Sequence, residues 1–456
     1  MRFHKTLLAI TTAALMTQAG TTLAAISAQD AAKLGTELTP TGAERAGNAD
    51  GSIPEWNGGM TTPPSDYQAG GTRIDPFADE QPLFTIDASN YQQYADKLTE
   101  GQKALFAKHA DFKMPVYKTH RTFAAPQWVY DNTKTNATRT DLTADGNGVE
   151  KAFGGYPFPI PKNGKEAIWN HNLRWLGSGV EKNYANLVVY SNGEKTIGQG
   201  RLWETYPYYD QQGSLDSFNG NIFQVLVQYS LPVRRKGEVI LAIDPVNQAK
   251  EPRQAWQYIP GQRRVRRAPT IAFDTPNAQF AGQATYDDSF MYNGSPERYD
   301  WKLVGKKEMF IPYNNNKMLA EAKKGIDTVA DTLATPKFPN PDYMRWELHR
   351  VWVVEATLKD GSRHVYGKRT FFLDEDSWAV AATDIYDGRD NLWRAGFAGM
   401  VNAYDVPATV IRGYWHADLQ NDAYAFNELD IKPLDFSAVK NDKFYTPTQV
   451  RKMSRR

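Results

Sequence analysis

The chain of 456 residues contains no cysteine. That absence excludes disulfides, thiolate metal sites, cysteine nucleophiles and a lipidated amino-terminal cysteine. Charge of one sign is missing too: 53 Lys and Arg against 52 Asp and Glu leave a net +1. No global field therefore steers the protein toward nucleic acid or an anionic membrane, and no nucleic-acid partner is expected. The sequence has no P-loop, no G-x-G-x-x-G, no G-x-S-x-G and no H-E-x-x-H. Its seven histidines are scattered without ligand spacing and read as structural or surface residues. No metal and no cofactor is expected.

Long apolar runs are confined to the start. Arg2 and Lys5 precede the run Leu7 to Met16, followed by Thr22, Leu23, Ala24 and Ala25. Charge, length and small residues mark a secretory signal peptide over residues 1–25, with cleavage after Ala25 or Ala28. The run is too short and too rich in Thr and Ala to cross about 30 Å of hydrocarbon. The mature chain is expected in the periplasm, without a lipid anchor. That compartment lacks ATP, which argues against kinase-like or ATPase chemistry.

Aromatic residues are abundant: 12 Trp, 24 Tyr and 21 Phe. Such rings suit strands and large concave surfaces. Residues 26–85 read as an extended arm with a short helix. The block LTPTGAERAGNADGSIPEWNGG (Leu38 to Gly59) is polar and Gly-rich, and Met60 to Pro82 has loop composition. A helix capped by Ser89 is expected over Asn90 to Thr99, resuming after Gly101 to His109. Another is expected over Lys165 to Trp175, with Ile168, Trp169 and Leu173 on one side.

From about Arg121 the pattern is β. Ala185 to Ser191, Ile222 to Leu231, Glu238 to Ile243, Ala255 to Ile259 and Arg263 to Arg267 read as strands. A later meander runs through Trp346 to Leu358, Arg363 to Leu373, Trp378 to Tyr386, Asn391 to Met400 and Ala408 to His416. Asn192-Gly193 and Asp387-Gly388 supply hairpin turns. Residues 86–456 therefore read as one large antiparallel β domain with accessory helices.

Two motifs carry chemical interest. Asp374-Glu375-Asp376 could pair carboxylates for glycoside hydrolysis, but adjacent acids at a turn are expected to point apart and be solvated. The stretch AWQYIPGQRRVRRAP (Ala255 to Pro269) is a hairpin whose Pro260-Gly261 suits a type II turn with Gly261 at positive φ. Alternation puts Arg263, Val265 and Arg267 on one face, and Arg264 and Arg266 on the other. Charge on an edge strand, or pairing with acids, explains such a strand. So does a cavity rim that grips carboxylate or phosphate bidentately. The candidate ligand-binding residues are Arg263, Arg264, Arg266, Arg267, Trp256 and Tyr258, with Tyr366, Lys368 and Arg369 secondary. No catalytic residue is assigned.

Five stretches carry a resemblance: LTPTGAERAGNADGSIPEWNGG, EAIWNHNLRW, RQAWQYIPGQRRVRRAP, YDDSFMYNGSPERYDWKLVGKKEMFIPYN and YGKRTFFLDEDSW with its following DIYD and LWR. Together they resemble the bacterial family known as domain of unknown function 1329, in order along nearly the whole mature chain. The blocks around YIPGQRRVRR and KRTFFLDEDSW are similar in layout to the lipoprotein carriers LolA and LolB. The resemblance implies a large curved antiparallel sheet forming an open β-barrel around an apolar cavity, with a helical lid. It also implies a carrier or adaptor for a lipid or other amphiphile, working with an RND-type inner-membrane exporter and an outer-membrane partner. A ligand-free structural adaptor and an envelope glycan or ester hydrolase are the alternatives. The arm and the Leu38 to Gly59 block have no counterpart in the lipoprotein carriers.

Overall fold

The computed structural model describes residues 25–454. The signal peptide expected over residues 1–25 lies outside them apart from Ala25. Among the described residues no helix is long and apolar enough to cross a membrane.

A 15-stranded sheet dominates the fold. One antiparallel meander comprises Gly179–Val189, Lys195–Thr205, Asn221–Leu231, Val239–Pro245, Gln254–Ile259 and Arg264–Arg267. A second comprises Trp346–Leu358, Lys368–Asp374, Val380–Tyr386, Leu392–Phe397, Tyr414–Asp418 and Ala423–Asp430. Pairing of Ala423–Asp430 with Gly179–Val189 fuses the two edge to edge. Tyr299–Pro312 lies along Trp346–Leu358, and Phe84–Asp87 with Lys113–Val116 extends the same end. The outermost strands do not pair, so the sheet stays open. It is mixed rather than wholly antiparallel, because Val116 meets Trp346 in parallel.

Besides short strands such as Phe84–Asp87 and Lys113–Val116, three longer ones go beyond those expected from pattern. Lys195–Thr205 is interrupted in sequence by Gly198 and Gly200. At Gly200 a Cβ would lie 2.7 Å from the Tyr184 hydroxyl, so the glycine permits close approach within a strand. Tyr299–Pro312 carries charged residues on its outer face, and Ala423–Asp430 is buried throughout. Asn391 to Met400 and Ala408 to His416 each split, donating Met400–Ala403 and Ala408–Ile411 to a small separate sheet. Residues 91–97 form a 3-10 turn rather than the expected α-helix. The helix Glu100–Lys108 begins at a Thr99–Gln102 capping box. Asp384 is buried and accepts the Glu100 and Gly101 N–H groups at 2.9 Å each. Gly164–Asn172 matches the second expected helix, and Gln127–Arg139 is a further one.

The acidic turn corrects another expectation. Asp374, Glu375 and Asp376 are 0%, 2% and 1% exposed, not solvated. Arg121 clamps Asp376 through Nε and Nη2 at 2.9 and 2.6 Å, and also donates to the Glu44 and Arg45 carbonyls. Arg350 joins Glu375 to the Ala46 carbonyl, and Lys306 joins Glu375 to Glu44. Trp378 donates to the Thr41 carbonyl, while Thr41 donates to that of Asp376. The Leu38 to Gly59 block is thus strapped to the sheet through buried charges. The division drawn between residues 26–85 and 86–456 runs through the Phe84–Asp87 strand.

Gly101 gives a direct test of this packing. A Cβ there would meet Ala395 Cβ at 2.4 Å and Asp384 Oδ1 at 2.7 Å. Gly101→Ala is expected to cost about 1–3 kcal/mol in urea unfolding. Gly261→Ala, with nothing within 4 Å, is expected to be nearly silent.

Candidate functional site

The first meander curves around an apolar groove. Alternation along its strands sends Tyr184, Leu202, Val227, Tyr229, Ile240, Ala242 and Ala255 to one face, where they form a single cluster with Ile271. The opposite face sends Trp203, Leu226, Leu241, Trp256 and Tyr258 against Tyr445 and the carboxyl-terminal helix Pro447–Met453. Segment 271–293 covers the groove. The cover expected from helices is here an irregular segment with the short 3-10 turns Ala278–Phe280 and Tyr286–Met291. Between sheet and cover lies a cavity of about 100 Å³. That is space for about three waters and below the usual range of ligand pockets. A cleft of about 410 Å³ near Thr205 and Asp442 is larger. Its walls mix Phe153, Tyr206 and Phe218 with Thr205, Asp210 and Asp442, whereas the groove is walled by one apolar strand face.

Polar fasteners hold the cover in place. Arg253 clamps Asp244 at 2.5 and 2.7 Å, and reaches the Ile271 carbonyl and Asn293 Oδ1 near the two ends of the segment. Arg369 pairs with Asp287 at 3.1 Å and with Asp288. Tyr366 donates to Asp288 at 2.8 Å and accepts from Arg394 at 2.6 Å. Burial alone would push the Asp287 carboxyl up, but Arg369 and His364 hold it well below the usual carboxylate range. From the cover, Gln279 accepts from Asn186 at 2.7 Å and donates to Tyr229.

One end of the groove is charged. Lys182 contacts Glu204 at 2.6 Å and Glu428 at 3.4 Å. Arg412 bonds Glu428 and Asp430, and Tyr206 donates to Glu204 at 2.7 Å. Burial raises the Glu428 carboxyl, yet Lys182 and Arg412 more than offset that and leave it lowered. A general acid would need the opposite shift.

The sequence-derived candidates fall into three groups, and none of the nine lines this groove. Arg263 is not in the strand. It occupies the left-handed region at φ 50°, closing a Pro260–Gln262 turn, so it and not Gly261 takes the positive φ. Arg264 to Arg267 form the edge strand, and all four arginines are exposed. Register puts Arg264 and Arg266 on the concave face with Gln257, and Arg267 on the other with Trp256, over which it stacks at 5.6 Å. Tyr258 pairs with Val265 on that second face. Tyr366 and Arg369 are buried fasteners of the cover, and Lys368 pairs with Asp390 at 2.5 Å.

His349, Asp374 and Asp376 offer atoms within 4.8 Å of one another, as a metal would need. Both Asp376 oxygens are already bonded by Arg121, whose charge fills the role of a cation there. The cluster fastens the arm.

An open mixed sheet with an apolar groove under a pinned cover defines a mainly β protein. The chain belongs to the family described as protein of unknown function (DUF1329), which matches residues 85–451. It is 43% identical to the uncharacterized protein PA3922 of Pseudomonas aeruginosa over 462 residues, covering 99% of each chain. Among solved structures it is similar to a DUF1329 family protein from Desulfovibrio piger (13% identity, 60% of this chain and 92% of that one, TM-score 0.41). It is also similar to a domain from Vibrio parahaemolyticus described as an outer membrane lipoprotein-sorting protein (15%, 63% and 97%, TM-score 0.42). A third is the LolA superfamily protein NE2245 from Nitrosomonas europaea (13%, 62% and 97%, TM-score 0.36). At these TM-scores the likenesses add nothing to the groove, which rests on this chain's own strand pairing.

Removing Arg369 takes the guanidinium away from two buried carboxylates, Asp287 and Asp288. Arg369→Met is expected to cost about 3–5 kcal/mol in urea unfolding. The exposed Arg267→Ala is expected to change stability by less than about 0.5 kcal/mol.

Proposed function

We propose that this protein is a periplasmic carrier or adaptor that holds a lipid or other amphiphile in the concave groove, and that it is not an enzyme. The observation that carries this reading is the apolar face of Leu202, Val227, Ile240 and Ala242, concave and covered by an irregular segment rather than by a second sheet. Each CH₂ placed there would gain about 0.8 kcal/mol. Glu204 and Glu428 line the groove but are engaged by Lys182, Tyr206 and Arg412, so neither is a free acid or base. Arg264 and Arg266 share the groove's face at the sheet edge and are proposed to meet a headgroup during entry. An RND-type exporter and an outer-membrane protein are proposed partners, supported by the family resemblance alone.

A second reading, a ligand-free structural adaptor, is favoured by the small volume of the groove. Extraction and mass spectrometry of protein purified from its own periplasm separates the two. A bound amphiphile at near one per chain, lost in Ala242→Leu with an unchanged melting temperature, is the expected result. Amphiphile absent from the extract would favour the adaptor. Arg264→Ala with Arg266→Ala is expected to slow association of the recovered amphiphile without changing Tm.

Export also predicts the mature end. The Ile26 N–H donates to the Ala137 carbonyl at 3.0 Å, and Ser27 caps the helix Ala28–Ala31. Cleavage after Ala25 keeps both contacts, whereas cleavage after Ala28 removes them. Intact mass of the periplasmic protein is expected to correspond to a chain starting at Ile26.

A further inference from the structure

Arg174 follows the helix Gly164–Asn172 and is 6% exposed. Its Nη1 donates to the His171 carbonyl at 2.6 Å. The His171 ring is already engaged: Nδ1 accepts from the Val380 N–H at 2.9 Å, leaving Nε2–H to donate to the Tyr292 carbonyl at 3.1 Å. The Nε of Arg174 is buried and bonded to nothing, and Nη2 has no partner among the described residues. Arg174 makes no ion pair there either. Glu204, the carboxylate whose field reaches it, is taken by Lys182 and Tyr206. Burial without such a partner pushes the guanidinium down to about 10.

Other arginines of this chain show what that edge does when it is used. Arg73 grips Asp405 through Nε and Nη2, Arg121 grips Asp376, Arg235 grips Glu238, Arg253 grips Asp244, and Arg412 grips Asp430. Each is a two-pronged clamp on one carboxylate. Arg174 presents the same edge bare.

Arg174 lines two small cavities, of about 40 and 10 Å³, walled also by Trp169, Leu176, Ile222 and Val180. Phe290 lines both, and it also lines the groove. Among the described residues it is the one side chain common to all three. Its φ of 54° and the 75° of Met291 are left-handed values that a non-glycine residue holds only when its surroundings impose them.

We propose that Arg174 anchors the acidic head, a carboxylate or phosphate monoester, of a single-chain amphiphile whose tail passes Phe290 into the groove. This rests on the carrier reading and names its ligand class. Binding displaces Phe290 and joins the three cavities.

The test titrates the mature full-length protein with dodecanoate, monododecyl phosphate and dodecanol, followed by tryptophan fluorescence. At least one anion is expected to bind about 30-fold or more tighter than dodecanol. The tighter of the two identifies the head. Arg174→Met is expected to abolish that preference, keep dodecanol affinity and leave Tm no lower, because it removes an uncompensated buried charge. Arg174→Lys keeps the charge but not the two-pronged edge, and is expected to lose most of the preference. Equal binding of anions and alcohol by the wild type, or an unaltered preference in both variants, overturns the anchor while the carrier reading stands. A fall in Tm in both variants shows Arg174 to be structural and also overturns it. Failure of all three compounds to bind overturns the carrier reading itself.

Discussion

A guanidinium taken out of water must meet a carboxylate, and this fold is organised by that requirement. Desolvating one charge costs several kcal/mol, and a two-pronged clamp in a low-dielectric setting repays most of it. The clamps sit where irregular chain must be tied to regular sheet. Arg121 with Asp376 fixes the Leu38 to Gly59 block. Arg253 with Asp244 secures the cover near both ends, and Arg369 with Asp287 and Asp288 secures it between them. Hydrophobic contact is non-directional and could not set the position of a segment with so little helix. Charge pairs with two bonds each fix both place and orientation.

The groove is consequently a product of polar fastening as much as of apolar packing. Its wall is an ordinary strand face, rigid through the ladder of the first meander. Its cover holds Phe273, Ala281, Phe290 and Met291 at positive φ. Strain of that kind, about 1–3 kcal/mol per residue, persists only when neighbours over-determine the backbone. The Arg253 clamp supplies that constraint from the cavity lining itself, and the Arg369 clamp supplies it from outside that lining. The wall stays fixed, and any change in cavity volume has to come from the cover.

Much of this architecture was legible in the sequence, and the site was not. Apolar alternation and Asn-Gly or Asp-Gly turns marked most strands of both meanders, and the five blocks pointed to the family. Lys195–Thr205 escaped because two glycines break its pattern, although Gly200 is there for the Tyr184 hydroxyl. The four arginines after Gln262 drew attention because they are adjacent, yet they lie at an exposed edge. The arginines that organise the fold are isolated in sequence, with partners far off: Arg121 and Asp376 stand 255 residues apart, Arg369 and Asp288 81. No local pattern distinguishes an arginine destined for burial. For the same reason the triad at Asp374 to Asp376 read as a solvated turn, since its cations come from residues 121, 306 and 350. In EAIWNHNLRW the one signal was a cation set among Trp and Leu just past an apolar helix.

Arg174 is the exception that gives the groove a direction. At its charged end Lys182 and Arg412 are matched by Glu204, Glu428 and Asp430 in one chain of ion pairs. A ligand head placed against that cluster would have to break existing bonds. Against Arg174 it would break none and would relieve a burial cost already present. The head therefore belongs at the inner end beyond Phe290 and the tail along the strands, toward the edge where Arg264 and Arg266 stand on the same face. Apolar burial in such an arrangement sets how tightly a ligand is held, and the single buried cation sets which way round it lies.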